Sequence, residues 1–308
     1  MDVGGTAIKA ALVAADGTLL CEERRPTGRE RGPDAVVSGL VDLAAELRET
    51  GVRTCGQPAL AAGVAVPGAV DEERGIAVSA ANLGWRNAPL RKLVHERLGG
   101  IPVALGHDVR SGGLAEGRLG AGRGVDRFVF LALGTGIAAA IGIDGRIEAG
   151  AHGCAGEIGH IVVRPTGPPC RCGQRGCLET VASAAAVARA WAEASGVPDA
   201  TAADAAEAVR TGDPRAAAVW EEGIAALADG LVTVVTLLDP RVLIIGGGLA
   251  EAGETLFTPL RKAVEQRITF QKAPRIVPAE LGDSAGCLGA ALLAWDLLKE
   301  TRPANLAR

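Results

Sequence analysis

The residues best suited to chemistry are crowded into one segment, Gly156 to Thr180, which reads GEIGHIVVRPTGPPCRCGQRGCLET. Its glycines and prolines make it too irregular for a continuous helix or strand, so something other than a hydrophobic core must hold it. Structural Zn²⁺ takes four thiolate or imidazole ligands in a tetrahedron. The segment offers one histidine and three cysteines for this role: His160, Cys170, Cys172 and Cys177. The sequence therefore predicts a structural zinc site.

Two other interpretations of the cysteines remain open. They are either small buried thiols beside an unrelated histidine, or partners in a disulfide. Three of the seven cysteines of the chain fall in this one polar loop, where we expect little burial. A C-x-C pair is also badly placed to bridge itself. Both considerations favour zinc.

The same segment resembles the joint signature of the ROK family, which contains repressors, unassigned reading frames and sugar kinases. The resemblance rests on the run Gly156 to His160 and on the run Cys170 to Glu179. It implies that the histidine and the three cysteines bind structural zinc, and that Glu157, His160 and Glu179 contact the hydroxyls of a sugar. A metal clamp would keep these directional hydrogen-bonding groups in place.

A glycine turn stands at the start of the chain, in Asp2-Val3-Gly4-Gly5-Thr6. Glycines let backbone N–H groups approach an anion, the threonine adds a hydroxyl, and Asp2 is suited to orient a hydrated Mg²⁺. A plain hairpin turn between two strands explains the same residues. The resemblance implies the first phosphate-binding loop of an actin-like ATPase fold. Members of the family have several strand residues ahead of this Asp, whereas only Met1 stands there. We therefore expect either a start upstream of Met1 or a shortened first strand.

Two further residues of the first half gain a role from the resemblance. Asn82, in Ala81-Asn82-Leu83-Gly84-Trp85, reads by itself as a turn residue. Asp108 follows a predicted strand over 101–105 and precedes a helix, so it is either a helix cap or an acid that points into a cleft. The family implies that Asn82 contacts the sugar, and that Asp108 contacts it and is the catalytic base. Where members of the family usually read N-D-A-N, this chain keeps the Asp but has His107, Val109 and Arg110 in place of the Asn, Ala and Asn.

The second half repeats the pattern of the first. A strand over 128–133, a tight turn, a strand over 137–143 and a hairpin at 144–145 follow the glycine-rich stretch 117–124. This indicates an internal duplication with a second phosphate loop. A later buried strand over 242–245 also ends in glycines. The predicted nucleotide contacts in this half are Gly134, Thr135, Gly136, Gly246 and Gly247.

Length and composition agree with two domains. A chain of 308 residues exceeds one typical core. We predict an α/β protein with the duplicated actin-like ATPase (ribonuclease H-like) fold, its two domains lying around a nucleotide and sugar cleft. The smaller domain covers 1–118 and is completed by a helix over 285–300, and the larger covers 119–284 with the zinc loop 156–180 inserted.

The resemblance implies ATP-dependent phosphorylation of a hexose, with ATP, Mg²⁺ and structural Zn²⁺ as cofactors. Glucose, modified at its 6-hydroxyl, is the expected substrate. Fructose, allose, N-acetylmannosamine and N-acetylglucosamine stay open as alternatives. So does a non-catalytic sugar-sensing transcriptional regulator, although such regulators carry an N-terminal helix-turn-helix domain and this chain starts at the phosphate loop.

Charge and hydropathy limit the partners. The net charge of −4 gives no reason to expect nucleic acid, whose binders carry a basic face. No apolar run approaches the ~18 residues that span a bilayer. We expect a cytoplasmic protein that binds a sugar and ATP, and, from the family, a homodimer or homotetramer.

Overall fold

The computed structural model describes residues 1–301, which form two compact units. The first unit contains Met1–Ala115, Ala149–Cys154 and residues 283–301. The second contains Glu116–Glu148 and Ala155–Gly282. The predicted boundaries after residues 118 and 284 lie within three residues of these divisions. No feature of the sequence indicated that residues 149–154 belong to the first unit.

The first unit is built on a five-stranded sheet whose order is β3-β2-β1-β4-β8. A short β1 runs parallel to β4 and antiparallel to β2, and β4 runs parallel to β8. The five strands are β1 (Asp2–Val3), β2 (Ala7–Val13), β3 (Leu19–Pro26), β4 (Ala62–Val66) and β8 (Val103–His107).

Four helices accompany this sheet: α1 (Pro33–Cys55), α2 (Leu90–Arg97), α3 (Asp108–Leu119) and α9 (Ala285–Thr301). Helix α1 buries an apolar stripe with helical spacing at Val36, Leu40, Leu43 and Leu47. Helix α9 packs on β4 and β8. It approaches so closely that a Cβ on Gly63 would collide with the carbonyl oxygen of Ala290. Among residues 1–301, no helix combines the length and hydropathy that crossing a bilayer requires.

The first unit also contains a small three-stranded sheet, which the sequence did not indicate. It consists of β5 (Ala69–Asp71), β6 (Ile76–Ala80) and β7 (Trp85–Ala88). Trp85 is buried, and its indole N–H donates to the carbonyl of Pro33 at 3.2 Å. Asn87, expected near the cap of the next helix, instead lies in β7 with a φ of 50°. Helix α2 begins after Pro89 because proline fits the start of a helix.

The second unit repeats the sheet of the first, in the order β11-β10-β9-β12-β13. Strand β9 runs antiparallel to β10 and parallel to β12, as β1 does to β2 and β4. The predicted duplication is confirmed, and with it the duplicated actin-like fold. The strands are β9 (Arg127–Leu133), β10 (Ile137–Ile143), β11 (Arg146–Glu148), β12 (Val242–Gly246) and β13 (Arg275–Pro278).

Alanine-rich helices cover this second sheet. Ser183 separates the first two of these helices and caps the second by accepting from the N–H of Ala186. The longest helix, α7, buries an apolar stripe of Trp220, Ile224, Leu227 and Leu231. The helices are α4 (Leu178–Ala182), α5 (Ala184–Ser195), α6 (Ala202–Arg210), α7 (Pro214–Leu238) and α8 (Glu254–Glu265).

Candidate functional site

The first glycine loop, Gly4 to Thr6, joins β1 to β2 and is held by two hydrogen bonds of Gly4. The N–H of Gly4 donates to the carbonyl of Ala7 at 2.9 Å, and the hydroxyl of Thr27 donates to the carbonyl of Gly4 at 2.6 Å. Thr6 is exposed. Asn82, on the turn between β6 and β7, lies against the loop, since a Cβ on Gly5 would stand 3.3 Å from its Nδ2. The structure thus brings Asn82 close to the first glycine loop, although the two lie far apart in the sequence.

Asp108 is the first residue of α3 and directly follows β8, as predicted for a strand-end acid. Its Oδ1 accepts from the N–H of Val109 at 2.7 Å, and its side chain is 30% exposed. Burial raises the pKa of Asp108, while the Val109 N–H and the charge of Arg110 oppose that rise. A carboxylate that is reachable yet more basic than usual suits proton transfer at neutral pH.

Asp2 lies on β1, and the charge of Asp108 acts on its carboxylate. Burial raises the pKa of Asp2 to about 6, and the negative charge of Asp108 adds to the rise. Lys9 lowers it. Two carboxylates held near each other form a place where a divalent cation relieves their repulsion.

An ion pair between the buried Arg110 and the partly exposed Glu72 supports the backbone around Asp108. Arg110 donates from Nε and Nη2 to Oε1 of Glu72, at 3.2 and 2.9 Å, and from Nη1 to the carbonyl of Gly153 at 2.9 Å. The same Glu72 oxygen accepts from the N–H of His107 at 3.3 Å. His107 is buried, and its Nε2 lies 3.4 Å from Oδ1 of Asp108. Sequence analysis missed Glu72 and gave Arg110 no role, because their contacts span distant stretches of chain.

The second glycine loop, Gly134 to Gly136, joins β9 to β10 and leaves Thr135 exposed, as Thr6 is. Glu179, in the first turn of α4, accepts from the N–H of Ile137 at 3.0 Å through Oε2. A Cβ on Gly136 would stand 2.5 Å from the same oxygen, so only glycine lets the carboxylate lie there. Glu179 therefore fixes this loop, a contact that the sequence did not indicate.

The remaining predicted residues of the second unit lie on turns. Gly246 ends β12, and Gly247 is exposed with a φ of 87°. A Cβ on Gly247 would stand 2.5 Å from the carbonyl oxygen of Leu133, so the two glycine turns of this unit are neighbours. Glu157 is exposed, and His160 closes the short 3-10 turn Ile158–His160.

The four predicted zinc ligands form one cluster. Their ligand atoms, in His160, Cys170, Cys172 and Cys177, all lie within 4.8 Å of one another. Nδ1 of His160 is 3.6 Å from Sγ of Cys170, and Sγ of Cys172 is 3.6 Å from Sγ of Cys177. Zn–S bonds of about 2.3 Å place tetrahedral ligands roughly 3.8 Å apart. Both the donor set and its spacing fit zinc.

Local backbone geometry holds the cluster together. Gly176 has a φ of 69°, and a Cβ there would collide with the carbonyl of Arg164. Burial raises the pKa of Cys177 to about 12, and the thiols of Cys172 and Cys170 add to the rise. A backbone N–H of Gln174 lowers the pKa of Cys172. Burial and the neighbouring thiols therefore oppose the ionisation of Cys177, which a bound cation would favour.

One expectation about cysteines was wrong. Little burial was expected for the loop thiols, yet Cys170 is 9% exposed and Cys177 is fully buried. The turn Ile158–His160 packs on α4 and β10, and Val162 pairs with Cys177, so the loop lies against the rest of its unit. Cys154, outside the cluster, is exposed, with its thiol directed at the carbonyl of His152.

Comparison with known proteins gives matches over nearly the whole chain. The model of the ROK family matches residues 1–296. Glucokinase of Thermotoga maritima is 36% identical over 307 residues, which cover 94% of this chain and 95% of the relative.

Solved structures match to the same extent. The ROK hexokinase from Thermus thermophilus superposes with a TM-score of 0.85 and 34% identity, covering 97% of this chain and 98% of the other. A ROK family glucokinase from Streptomyces griseus, in complex with glucose and AMPPNP, has a TM-score of 0.80 and 31% identity, covering 96% and 98%.

Proposed function

Because this chain belongs to the ROK family, we propose that it is a sugar kinase that transfers a phosphoryl group from ATP to a hexose, namely glucose at its 6-hydroxyl. The observation that carries the proposal is the carboxylate of Asp108, which lies partly exposed at the end of β8 and has its pKa raised by burial. The similarity to a glucokinase, and to a structure that contains glucose and AMPPNP, supports the choice of substrate and donor.

In the proposed reaction, Asp108 accepts the proton of the primary hydroxyl as that oxygen attacks the γ-phosphorus. The O–H bond breaks, the new O–P bond forms, and the bond to the ADP oxygen breaks with its electrons leaving on ADP. Phosphoryl transfer depends mainly on positioning and charge stabilisation, with a carboxylate receiving the proton. The pKa of Asp108, raised by burial, brings its basicity closer to what this transfer needs.

The proposed sugar contacts are Asn82, Asp108, Glu157, His160 and Glu179. Glu157 is exposed and free to receive a hydroxyl, and Asn82 is exposed beside the first glycine loop. Carboxylates and a carboxamide accept and donate in fixed directions, as polyol recognition requires.

The proposed nucleotide contacts are the glycine loops Gly4-Gly5-Thr6 and Gly134-Thr135-Gly136, with Gly246 and Gly247. Each of the two matched loops presents an exposed hydroxyl and backbone N–H groups, which suits phosphate oxygens. Asp2 would hold Mg²⁺, which neutralises phosphate charge when bound.

We also propose that His160, Cys170, Cys172 and Cys177 hold a structural zinc ion. The cluster lies between Glu157 and Glu179 along the chain, and Glu179 in turn fixes the second glycine loop. The metal would thereby stiffen two sugar contacts and one phosphate loop at once. The homodimer or homotetramer and the cytoplasmic location stay predictions.

An ADP-release assay over a panel of hexoses tests the proposed function. Glucose should give the highest kcat/KM, with fructose, allose and the N-acetylated hexosamines lower. ADP release that depends on none of these sugars would contradict the proposal. A variant Glu157→Gln should raise KM for the sugar more than KM for ATP. Glu148→Gln, on β11, is a control for the loss of another exposed charge in the same unit.

A further inference from the structure

His107 caps helix α3 with its imidazole ring. The residue ends β8 and directly precedes Asp108, where α3 begins. Its Nδ1 accepts from the backbone N–H of Arg110, the third residue of the helix, at 3.4 Å. A side chain that stands before a helix and accepts from its second or third N–H satisfies one of the donors that the first turn leaves without an intrahelical partner. The ring thus fills a role that Asn, Asp, Ser or Thr usually fills.

The backbone of His107 is fixed as well. Its N–H donates to Oε1 of Glu72 at 3.3 Å. In a capping box the third residue of the helix supplies this acceptor, whereas here it comes from the β5–β6 turn. That turn is held in its own right, because Arg91 donates to the carbonyls of Glu72 and Glu73. Since His107 is only 7% exposed, its ring has little room to change its orientation.

The capping contact decides which ring nitrogen carries the proton. A nitrogen that accepts from an N–H is unprotonated, so Nδ1 is the acceptor and, in the neutral imidazole, Nε2 is the donor. Nε2 lies 3.4 Å from Oδ1 of Asp108. Hydrogen bonds of catalytic groups are often long in a site without substrate and tighten when substrate binds. The ring therefore presents an N–H to the carboxylate of the proposed base.

The contacts of the Asp108 carboxylate fall on one of its two oxygens. Oδ1 accepts from the N–H of Val109 at 2.7 Å and also faces Nε2 of His107. The side chain of Asp108 is 30% exposed, so the carboxylate is not closed off from solvent. With two donors directed at Oδ1, the lone pairs of Oδ2 are those left for a substrate hydroxyl.

We propose that His107 is a positioning residue for the proposed base: its Nε2–H holds Oδ1 of Asp108, so that Oδ2 receives the proton of the sugar hydroxyl. This inference rests on the proposed function. The hydroxyl proton moves to Oδ2, while Nε2 keeps its own proton. Asparagine, which members of the family usually have at this position, is also a good cap, but its side chain ends at the place of Nδ1. Histidine thus adds an orienting donor and keeps the cap.

Two substitutions separate the cap from the donor. His107→Asn keeps the cap and removes the Nε2 donor, so kcat with glucose should fall about tenfold, because misplacing a reacting group costs rate steeply. KM for glucose should stay unchanged, and Tm should be no lower than that of the wild type. His107→Gln is a poorer cap, but its amide reaches the place of Nε2. It should therefore have a lower Tm than the asparagine variant and a higher kcat.

The matched control is His95→Asn, in α2 of the same unit. It removes an imidazole whose Nδ1 lies 2.7 Å from the carbonyl oxygen of Ile101, and kcat should not change. ¹⁵N NMR of the imidazole nitrogens gives a readout that does not depend on activity. At neutral pH the wild-type signals of His107, assigned by their loss in the asparagine variant, should show a proton on Nε2 and none on Nδ1.

Four results would overturn the inference. A proton on Nδ1 would remove the donor to Asp108. A wild-type kcat in His107→Asn would show that the donor has no effect on the reaction. A rise in KM for glucose without a fall in kcat would make His107 a sugar contact, and kcat values that follow the Tm values of the two variants would assign it a structural role. ADP release by the wild type that depends on no hexose would instead contradict the proposed function, and the protonation of the ring would then decide the inference by itself.

Discussion

The guanidinium of Arg110 joins the carboxylate of Glu72, through Nη2 at 2.9 Å, to the carbonyl of Gly153, through Nη1 at 2.9 Å. It thereby ties the start of α3, where Asp108 lies, to the β5–β6 turn and to the segment that leads to Glu157. A planar guanidinium can donate to both acceptors at once in a fixed geometry, which the single ammonium group of lysine cannot reproduce. Arg110 is thus a positioning residue for the proposed base.

Arg110→Lys should lower kcat about tenfold or more, because small displacements of reacting groups cost rate steeply. Glu72→Gln should act in the same direction and more weakly, since an acceptor oxygen remains. Steady-state kinetics with glucose separate kcat from KM. The matched control is Arg164→Lys, which breaks a comparable fork to Glu222 and Asp229 in the second unit. Equal losses of kcat in both lysine variants would show a general loss of stability instead.

Asp2→Asn should stabilise the protein above pH 6 in the presence of EDTA. The folded-state pKa of Asp2 is raised from 3.8 to about 6. Between these values the folded state holds a proton that the unfolded state has lost, so stability falls as pH rises through this window and then levels off. Asparagine carries no such cost, and its gain should be about 2 to 3 kcal/mol at pH 7.5. Urea denaturation at pH 4 and pH 7.5 measures it, and a gain that is independent of pH would contradict the account.

Cys177→Ser should remove zinc from the purified protein and lower its Tm. Elemental analysis should find about one zinc per wild-type chain, because four ligands close one site. Cys154→Ser, at an exposed thiol outside the cluster, should leave both values unchanged. A wild-type protein that is fully folded without any transition metal would refute the zinc site.

Glu116→Gln should destabilise the second unit by about 1 to 3 kcal/mol. The carboxylate is fully buried and accepts from the N–H groups of Leu281, Ala121 and Glu280, at 2.8, 3.0 and 3.3 Å. The side-chain amide of glutamine would direct its own N–H₂ group, a donor, towards at least one of these backbone N–H groups. Chemical denaturation measures the change, with Glu265→Gln on the exposed end of α8 as the control. An unchanged midpoint would show that these bonds contribute nothing net.

Much of the fold could be predicted because its signals are local. Apolar runs ending in glycine marked β9 and β12, and the spacing from Val36 to Leu47 marked α1. The three-stranded sheet β5 to β7 was missed because its strands are short and mostly polar on one face. The cluster of Cys170, Cys172 and Cys177 was found from spacing, but the burial of two of these thiols depends on tertiary contacts. The Arg110 network joins residues far apart in sequence, and no local pattern encodes such contacts.

The most direct test of the central claim is ADP release with glucose and ATP by the Asp108→Asn variant, compared with the wild type. The account predicts a loss of about 10²-fold or more in kcat, with a Tm no lower than that of the wild type and retained binding of glucose. A variant that phosphorylates glucose at the wild-type rate would contradict it.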